Sequence, residues 1–239
     1  MSTRSAATTT SVIAHRGASR AARENTVEAF RLAVAMGSDG IELDVRRTRD
    51  GHLVVHHDAR LAGGQAIVDL ARHDLPAHIP DLRDALLACA GSGGRQPVVN
   101  IEIKNDAAEP DFDDTRAVAP RVVAEALSVG DRHRWLISAF DLATVDAVHA
   151  FDPEIPTAWL VAVVPGDAVA VLRERGHRAL HPWVETLDRS SVDACHAEGI
   201  AVNTWTCDDP DRMRELIDWG IDGICTNVPD VALAVRDGH

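Results

Sequence analysis

The segment Ile41-Glu42-Leu43-Asp44-Val45 alternates apolar and acidic residues, which is the period of a β-strand. Its apolar side chains point to one face and its two carboxylates point to the other. Ile101-Glu102-Ile103-Lys104 repeats this arrangement. In a barrel wrapped by helices, the apolar set faces the helices and the charged set faces the barrel axis. Both segments are therefore expected to bring charge to the inside of a barrel.

Short β-branched runs alternate with amphipathic stretches along the rest of the chain, which indicates repeated βα units around a parallel sheet. We predict strands over residues 12–15, 40–45, 98–103, 135–138, 157–161, 178–181, 201–205 and 223–226. Eight such units favour an α/β fold of the closed (β/α)8 type, the TIM barrel, over an open doubly wound sheet.

Two local features complete the predicted fold. Residues 53–57 follow the second strand after a short Arg-Asp-Gly turn, which is too brief for a parallel crossover, so they predict a short extra antiparallel hairpin strand. Asn25 precedes an amphipathic stretch and has Glu28 three residues on, so it is expected to be a helix N-cap, as is Asp209 before Pro210.

Composition and charge indicate one globular domain. The chain has 239 residues, of which 46% are hydrophobic and 26% charged. Residues 1–11 are expected to form a disordered N-terminal tail, and residues 12–239 a single barrel domain. The formal net charge of −13 disfavours nucleic acid as a partner. No uncharged run approaches the ~18 residues of a membrane span, so we expect no membrane anchor and a cytoplasmic location.

The cysteine spacing and the lack of nucleotide-binding motifs leave no support for disulfides or for a nucleotide cofactor. Cys89, Cys195, Cys207 and Cys225 lie far apart without a Cys-x-x-Cys pair, so we expect buried free thiols. The chain has no Gly-x-Gly-x-x-Gly or P-loop motif, so a nucleotide cofactor has no support. The oligomeric state is left open.

Glu42, Asp44 and Glu102 would converge at one end of the barrel, where buried like charges repel each other unless a cation or protons offset them. Oxygen-only ligands suit a hard divalent cation, so we expect one Mg²⁺ or Ca²⁺ rather than zinc. The alternative is that these carboxylates form salt bridges with Lys104 and nearby arginines.

Two histidines are candidates for proton transfer. His15-Arg16-Gly17 closes the first strand, where barrel enzymes place catalytic groups, and Arg16 can bind a phosphate with two hydrogen bonds. His57 ends the predicted hairpin strand, and His56 should face the opposite way. A pair of histidines suits proton removal and donation in one reaction. Either one alone is more often a structural or surface residue.

The residue types alone do not assign a role to three further residues. Lys104 could bind a phosphate oxygen or pair with Glu102 or Asp44. Glu24 could be an ordinary surface carboxylate. Trp205 could fill the core or form an aromatic wall beside a substrate.

The ordered motifs resemble those of the glycerophosphodiester phosphodiesterase family, over nearly the whole chain. The matching segments are His15-Arg16-Gly17, Glu24-Asn25-Thr26, Ile41-Glu42-Leu43-Asp44-Val45, Val54-Val55-His56-His57-Asp58, Ile101-Glu102-Ile103-Lys104, Trp205-Thr206 and Asp222-Gly223-Ile224-Cys225-Thr226-Asn227-Val228-Pro229. Each segment is short, and the specificity lies in their common order.

The resemblance implies a TIM-barrel hydrolase that cleaves small glycerophosphodiesters to sn-glycerol 3-phosphate and an alcohol. It implies that the metal is bound by Glu42, Asp44 and Glu102, and that His15 and His57 are the acid–base pair. It also implies that Arg16 and Lys104 hold the phosphate, with Glu24 and Trp205 lining the substrate site.

The chain departs from the family pattern in the segment after Asp58. Only residues 59–78 separate Asp58 from Ile79. The family usually has a longer insertion here, which covers the site, so the alcohol specificity is left open. Two other functions remain open. One is a lysophospholipase D-type enzyme acting on lipids, and the other is a non-catalytic barrel that only binds phosphodiesters.

Overall fold

The structure is a computed structural model that describes residues 9–91 and 96–238. Within these residues its strands are β1 (Ser11–Ala14), β2 (Gly40–Arg47), β3 (Leu53–Val55), β4 (Val98–Ile103), β5 (Trp135–Ala139), β6 (Thr157–Val161), β7 (Ala179–Pro182), β8 (Ala201–Thr204) and β9 (Gly223–Thr226). The helices are α1 (Val27–Met36), α2 (Leu82–Ala88), α3 (Val118–Val129), α4 (Leu142–Phe151), α5 (Ala168–Arg175), α6 (Arg189–Ala197), α7 (Pro210–Asp218) and α8 (Pro229–Asp237).

All strands except β3 form a closed parallel barrel. The hydrogen-bonded order is β1-β9-β8-β7-β6-β5-β4-β2, and β2 pairs with β1 to close the ring. Strand β3 is antiparallel to β2, with Val45 opposite Val55. The predicted TIM barrel and its extra hairpin strand are therefore confirmed.

The register between β2 and β4 determines which charged residues meet. Glu42 lies beside Asn100, and Asp44 lies beside Glu102. The alternate residues Ile41, Leu43 and Val45 are fully buried in the core that the strands share with the surrounding helices. The alternation seen in the sequence thus corresponds to an apolar outer face and a charged inner face of the barrel.

The segment between β3 and α2 forms the predicted short insertion at the end of the barrel that carries the strand C-termini. It contains 3-10 turns at Ile67–Asp69 and Arg72–Asp74. Its own small core is made of Val54, Ile67, Leu75 and Ile79. This core fixes the insertion beside the hairpin, next to the loops that follow β1 and β4.

The structure differs from the sequence-based predictions at Asn25 and at the end of β3, and it describes only part of the predicted tail. Asn25 is not the N-cap of α1: Thr26 is, because its hydroxyl accepts from Ala29 N, while the Asn25 amide is bonded to Asp44 instead. Strand β3 ends at Val55, because the chain turns away from the sheet there, so His57 lies in the loop beyond it. Residues 1–8 of the predicted tail lie outside the described residues, and β1 already begins at Ser11.

Asp209 is an N-cap as predicted, since its side chain accepts from Asp211 N. The four cysteines are buried and free, which confirms that prediction as well. None of the helices in the described residues is long and apolar enough to cross a membrane.

The loop after β1 requires glycine at position 17. Gly17 has φ +80°, and a Cβ placed on it would lie 2.6 Å from the carbonyl carbon of Ala29. Gly64 also has a positive φ, +83°, but a Cβ there would have no neighbour within 4 Å. A side chain at position 64 would therefore meet backbone strain alone, whereas one at position 17 would meet both the strain and a steric clash.

We predict that Gly17→Ala lowers the free energy of unfolding by about 3 kcal/mol or more, since left-handed strain adds to overpacking against α1. The matched Gly64→Ala should cost only about 1 kcal/mol, the strain alone. Urea denaturation of both variants measures the difference. Equal losses would mean that the close contact at Gly17 contributes nothing.

Candidate active site

The buried carboxylates Glu42, Asp44 and Glu102 meet inside the mouth of the barrel. One oxygen from each lies within 4.8 Å of the others. Burial and the charges of Asp44 and Glu102 raise the pKa of Glu42 well above its usual range. Burial and Asp44 likewise raise the pKa of Glu102. The cluster is therefore electrostatically unfavourable as it stands.

The donor set fits a hard divalent cation. All three groups offer carboxylate oxygens, which Mg²⁺ and Ca²⁺ prefer. Glu42 Oε1 is buried and has no hydrogen-bond partner among the described residues. An unpartnered buried oxygen beside two more carboxylates is an atom that a cation would satisfy. Glu42, Asp44 and Glu102 could therefore hold a metal ion.

Two cations adjoin the carboxylates. Lys104 Nζ lies 2.7 Å from Glu102 Oε1 and 3.7 Å from Asp44 Oδ1. Arg16 Nε lies 3.4 Å from Asp44 Oδ2. Although burial alone would raise it, Lys104 and Arg16 keep the pKa of Asp44 below its usual value. The salt bridges considered as an alternative are thus present, but two cations do not balance three carboxylates.

The loop after β1 is built around these carboxylates. Arg16 has φ +57°, and its backbone N–H donates to Glu42 Oε2 at 2.8 Å. The Asn25 amide donates from Nδ2 to Asp44 Oδ2 at 2.7 Å, and its Oδ1 accepts from Asp44 N at 3.3 Å. At the exposed rim, Arg16 Nη1 donates to Glu24 Oε1 at 2.9 Å.

His15 is oriented by a chain of two hydrogen bonds. Its Nδ1 lies 2.8 Å from Asn227 Oδ1, while Asn227 Nδ2 donates to Asp208 Oδ2 at 2.7 Å. Because Asp208 fixes the amide, His15 Nδ1 carries the proton and Nε2 has a free lone pair. That Nε2 lies 4.0 Å from Glu42 Oε2. Burial, and then Arg16, lower the pKa of His15.

His57 is held by a carboxylate instead. Its Nδ1 donates to Asp58 Oδ1 at 2.7 Å. Burial lowers the pKa of His57, while Asp44 and Asp58 act in the opposite direction. His56, by contrast, contacts the Asp58 carbonyl and lines a different cavity, so the two neighbouring histidines do face opposite ways.

A cavity of about 60 Å³ joins these groups. It is lined by Ile13, His15, Arg16, Glu42, His57, Asn100, Glu102, Lys104, Phe140, Leu160, His181, Asn203, Trp205 and Cys225. The Trp205 ring packs edge-on against Phe140 at 5.4 Å, and its Nε1 donates to His181 O. Asp44 lies behind the lining, and Glu24 is at the rim. The structure thus brings all nine sequence-predicted site residues into one neighbourhood.

Sequence reasoning missed Arg46, which is 1% exposed. Its guanidinium donates from Nε to His57 O at 2.7 Å, and from Nη1 to Glu109 and Asp111 at 2.8 Å. Arg46 therefore ties the backbone of His57 to the loop after β4. A signal existed, because position 46 continues the inward-facing series of residues 42 and 44 on β2.

His181 and Asn203 were also missed. His181 is buried inside the barrel, and Asn203 Nδ2 lies 3.0 Å from its Nε2. Burial lowers the pKa of His181 to about 3. No pattern in the sequence distinguishes this histidine from a surface one.

The mouth of this TIM barrel thus combines three carboxylates that could hold a metal ion with two cations and a pair of histidines, residue types suited to the class of phosphoric diester hydrolases. The family model described as "Glycerophosphoryl diester phosphodiesterase family" matches residues 15–231. The chain belongs to this family.

Individual relatives agree with the family match. A glycerophosphodiester phosphodiesterase of Caldanaerobacter subterraneus subsp. tengcongensis is 29% identical, over 96% of this chain and 99% of the relative. The crystal structure of a Thermotoga maritima glycerophosphodiester phosphodiesterase is 26% identical and matches with a TM-score of 0.78, over 95% of this chain and 98% of that one. An Oleispira antarctica phosphodiesterase, solved with the product sn-glycerol-3-phosphate, has the same fold at 24% identity and TM-score 0.82, over 95% and 96% of the two chains.

We predict that, because of the low pKa of His181, the folding stability decreases as the pH is lowered. Below about pH 6.5 the unfolded chain binds a proton that the folded chain does not, so folding stability decreases as pH falls toward the folded pKa. Between pH 7.5 and 5, wild type should lose about 2 kcal/mol more than His181→Gln. Urea denaturation at both pH values tests this. Equal losses would show that His181 does not titrate as proposed.

We also predict that Glu42→Gln stabilises the metal-free protein while weakening metal binding. Two like charges at this separation repel by up to about 3 kcal/mol in an effective dielectric of about 20, and the neutral amide removes that repulsion. Thermal unfolding in chelator should show a higher Tm. Calorimetric titration should show affinity for Mg²⁺ or Ca²⁺ reduced about tenfold or more.

The control for this pair of measurements is Glu174→Gln, an exposed substitution on α5 that changes net charge equally. It should move neither quantity. If Glu42→Gln bound both ions as tightly as wild type, Glu42 would not be a metal ligand.

Proposed function

We propose that this chain is a metal-dependent enzyme that hydrolyses glycerophosphodiesters to sn-glycerol 3-phosphate and an alcohol. The observation that carries the proposal is the meeting of two oriented histidines and three buried carboxylates around one cavity, in a member of this family. The product bound to the Oleispira antarctica relative is the product expected here.

Glu42, Asp44 and Glu102 would hold the metal, which is Mg²⁺ or Ca²⁺ in this proposal. When bound, such an ion supplies positive charge that stabilises the negative charge developing on the phosphate oxygens. Arg16 and Lys104 supply further charge from the protein, Arg16 by two parallel hydrogen bonds and Lys104 as a point charge. Trp205 and Phe140 form an apolar wall suited to the glycerol carbons.

His15 is assigned as the general base. Its Nε2 has a free lone pair because Asn227 engages the protonated Nδ1, and its lowered pKa keeps it neutral at pH 7. In this role it removes a proton from the nucleophile, either water or a hydroxyl of the glycerol.

His57 is assigned as the general acid. Burial lowers the pKa of His57, but its Nδ1 donates to the Asp58 carboxylate, and this bond favours the imidazolium form. A bound phosphodiester anion adds a second negative charge nearby and favours that form further. His57 Nε2 then donates its proton to the departing alkoxide, without which an alcohol leaves poorly at neutral pH.

The test is a coupled assay for glycerol 3-phosphate over several glycerophosphodiesters, with chelator followed by Mg²⁺ or Ca²⁺. His15→Gln and His57→Gln should each lower kcat by about 10² or more, the usual scale of acid–base catalysis. His73→Gln, whose side chain is exposed on the insertion, is the matched control and should keep wild-type turnover.

Three outcomes would contradict the proposal in different ways. A wild-type rate in either site variant removes that histidine from the pair. Preference for an acylated lysolipid over its deacylated diester would favour the lipid-directed enzyme. Binding of diesters without release of glycerol 3-phosphate under either ion would favour a non-catalytic barrel.

A further inference from the structure

A second and larger cavity, of about 920 Å³, adjoins the reaction site. His57 faces the reaction cavity, while its neighbours His56 and Asp58 line the larger one. Its polar lining also includes Arg23, Arg60, Gln65, His78 and Glu109. The walls come from the loops after β1, β3 and β4, so both cavities open at the same end of the barrel.

Two arginines of this larger cavity have no carboxylate in direct contact. Both lining carboxylates are already engaged, Asp58 by His57 and Glu109 by Arg46. In contrast, no described carboxylate lies within the 4.0 Å ion-pair distance of Arg23 or Arg60. Arg60 Nη1 donates only to the Gly64 carbonyl, at 2.9 Å. On a chain with a net charge of −13, two arginines without a carboxylate partner form a local exception.

His78 lies on the same side of the cavity as Arg23. Burial, and then the positive charges of Arg23 and His56, lower the pKa of His78, so the three side chains lie near one another. The lining contains no Phe or Trp, and the chain has no Tyr. Quaternary ammonium groups are bound by aromatic cages. The cavity therefore lacks an aromatic cage for a choline group, whereas its two arginines without a carboxylate partner can bind an anion.

We infer that the larger cavity receives the departing alcohol and selects alcohols that carry a second anionic group, a phosphate or a carboxylate. The inference rests on the proposed function, because it concerns the alcohol side of the same reaction. The reaction cavity has the volume of about two water molecules, so most of a diester must lie outside it. Arg23 and Arg60 would bind the second anion there.

The first test compares two substrates that differ by one phosphate, glycerophosphoinositol and glycerophosphoinositol 4-phosphate. Glycerophosphoserine tests an alcohol with a carboxylate, and glycerophosphocholine tests a cationic alcohol. Wild type should show kcat/KM about tenfold higher for the phosphorylated inositol diester than for glycerophosphocholine. In the double variant Arg23→Gln/Arg60→Gln, the ratio between the two inositol diesters should fall about tenfold. Arg31→Gln/Arg173→Gln, two exposed positions on α1 and α5, is the charge-matched control and should leave the ratio unchanged.

The second test measures binding without turnover. Calorimetry with myo-inositol 4-phosphate should detect binding to wild type that is about tenfold weaker in the double variant, and unphosphorylated myo-inositol should bind more weakly than either. Equal binding of the phosphorylated and unphosphorylated alcohols, or equal binding by the two proteins, overturns the inference. Failure to hydrolyse any glycerophosphodiester overturns the proposed function instead, so the two failures are distinguishable.

Discussion

Three carboxylates, with one oxygen of each within 4.8 Å of the others, lie buried inside the barrel. The surrounding residues must offset the repulsion between their charges. Arg16 and Lys104 oppose Glu42, Asp44 and Glu102, which leaves one negative charge in excess. A divalent cation would reverse that sign, and a phosphodiester monoanion would then make the site neutral. The same imbalance that makes the empty site unfavourable therefore suits it to bind a metal and its anionic substrate together.

The loop after β1 can be understood as a response to these carboxylates. Arg16 adopts a left-handed backbone so that its N–H reaches Glu42, and Gly17 follows because a side chain would collide with α1. Asn25, also left-handed, turns its amide to Asp44. Backbone strain at two non-glycine residues is thus offset by hydrogen bonds to charged groups, which are among the strongest in proteins.

The sequence predicted those features that follow from strand periodicity. The repeated βα units predicted the barrel, and the alternation along β2 and β4 predicted which carboxylates meet inside it, because a strand has only two faces. Asn25 was misjudged, because its contact with Asp44 joins residues 19 apart and outweighs the local capping signal. The larger cavity could not be predicted, because its walls depend on how three loops pack. The same is true of His181, whose burial is a property of the closed barrel.

Arg46 connects the chemistry to the neighbouring cavity. It is completely buried, holds the His57 carbonyl, and pairs with Glu109, which lines the larger cavity, and with Asp111. Burying such a charge is favourable only while all its partners stay in place, and losing one partner of a buried pair typically costs about 3–5 kcal/mol. His57 and a wall of the larger cavity are therefore fixed by one guanidinium. A displacement of the loop after β4 would be transmitted to His57 through the hydrogen bonds of Arg46, so the proposed alcohol site and the proposed general acid are structurally coupled.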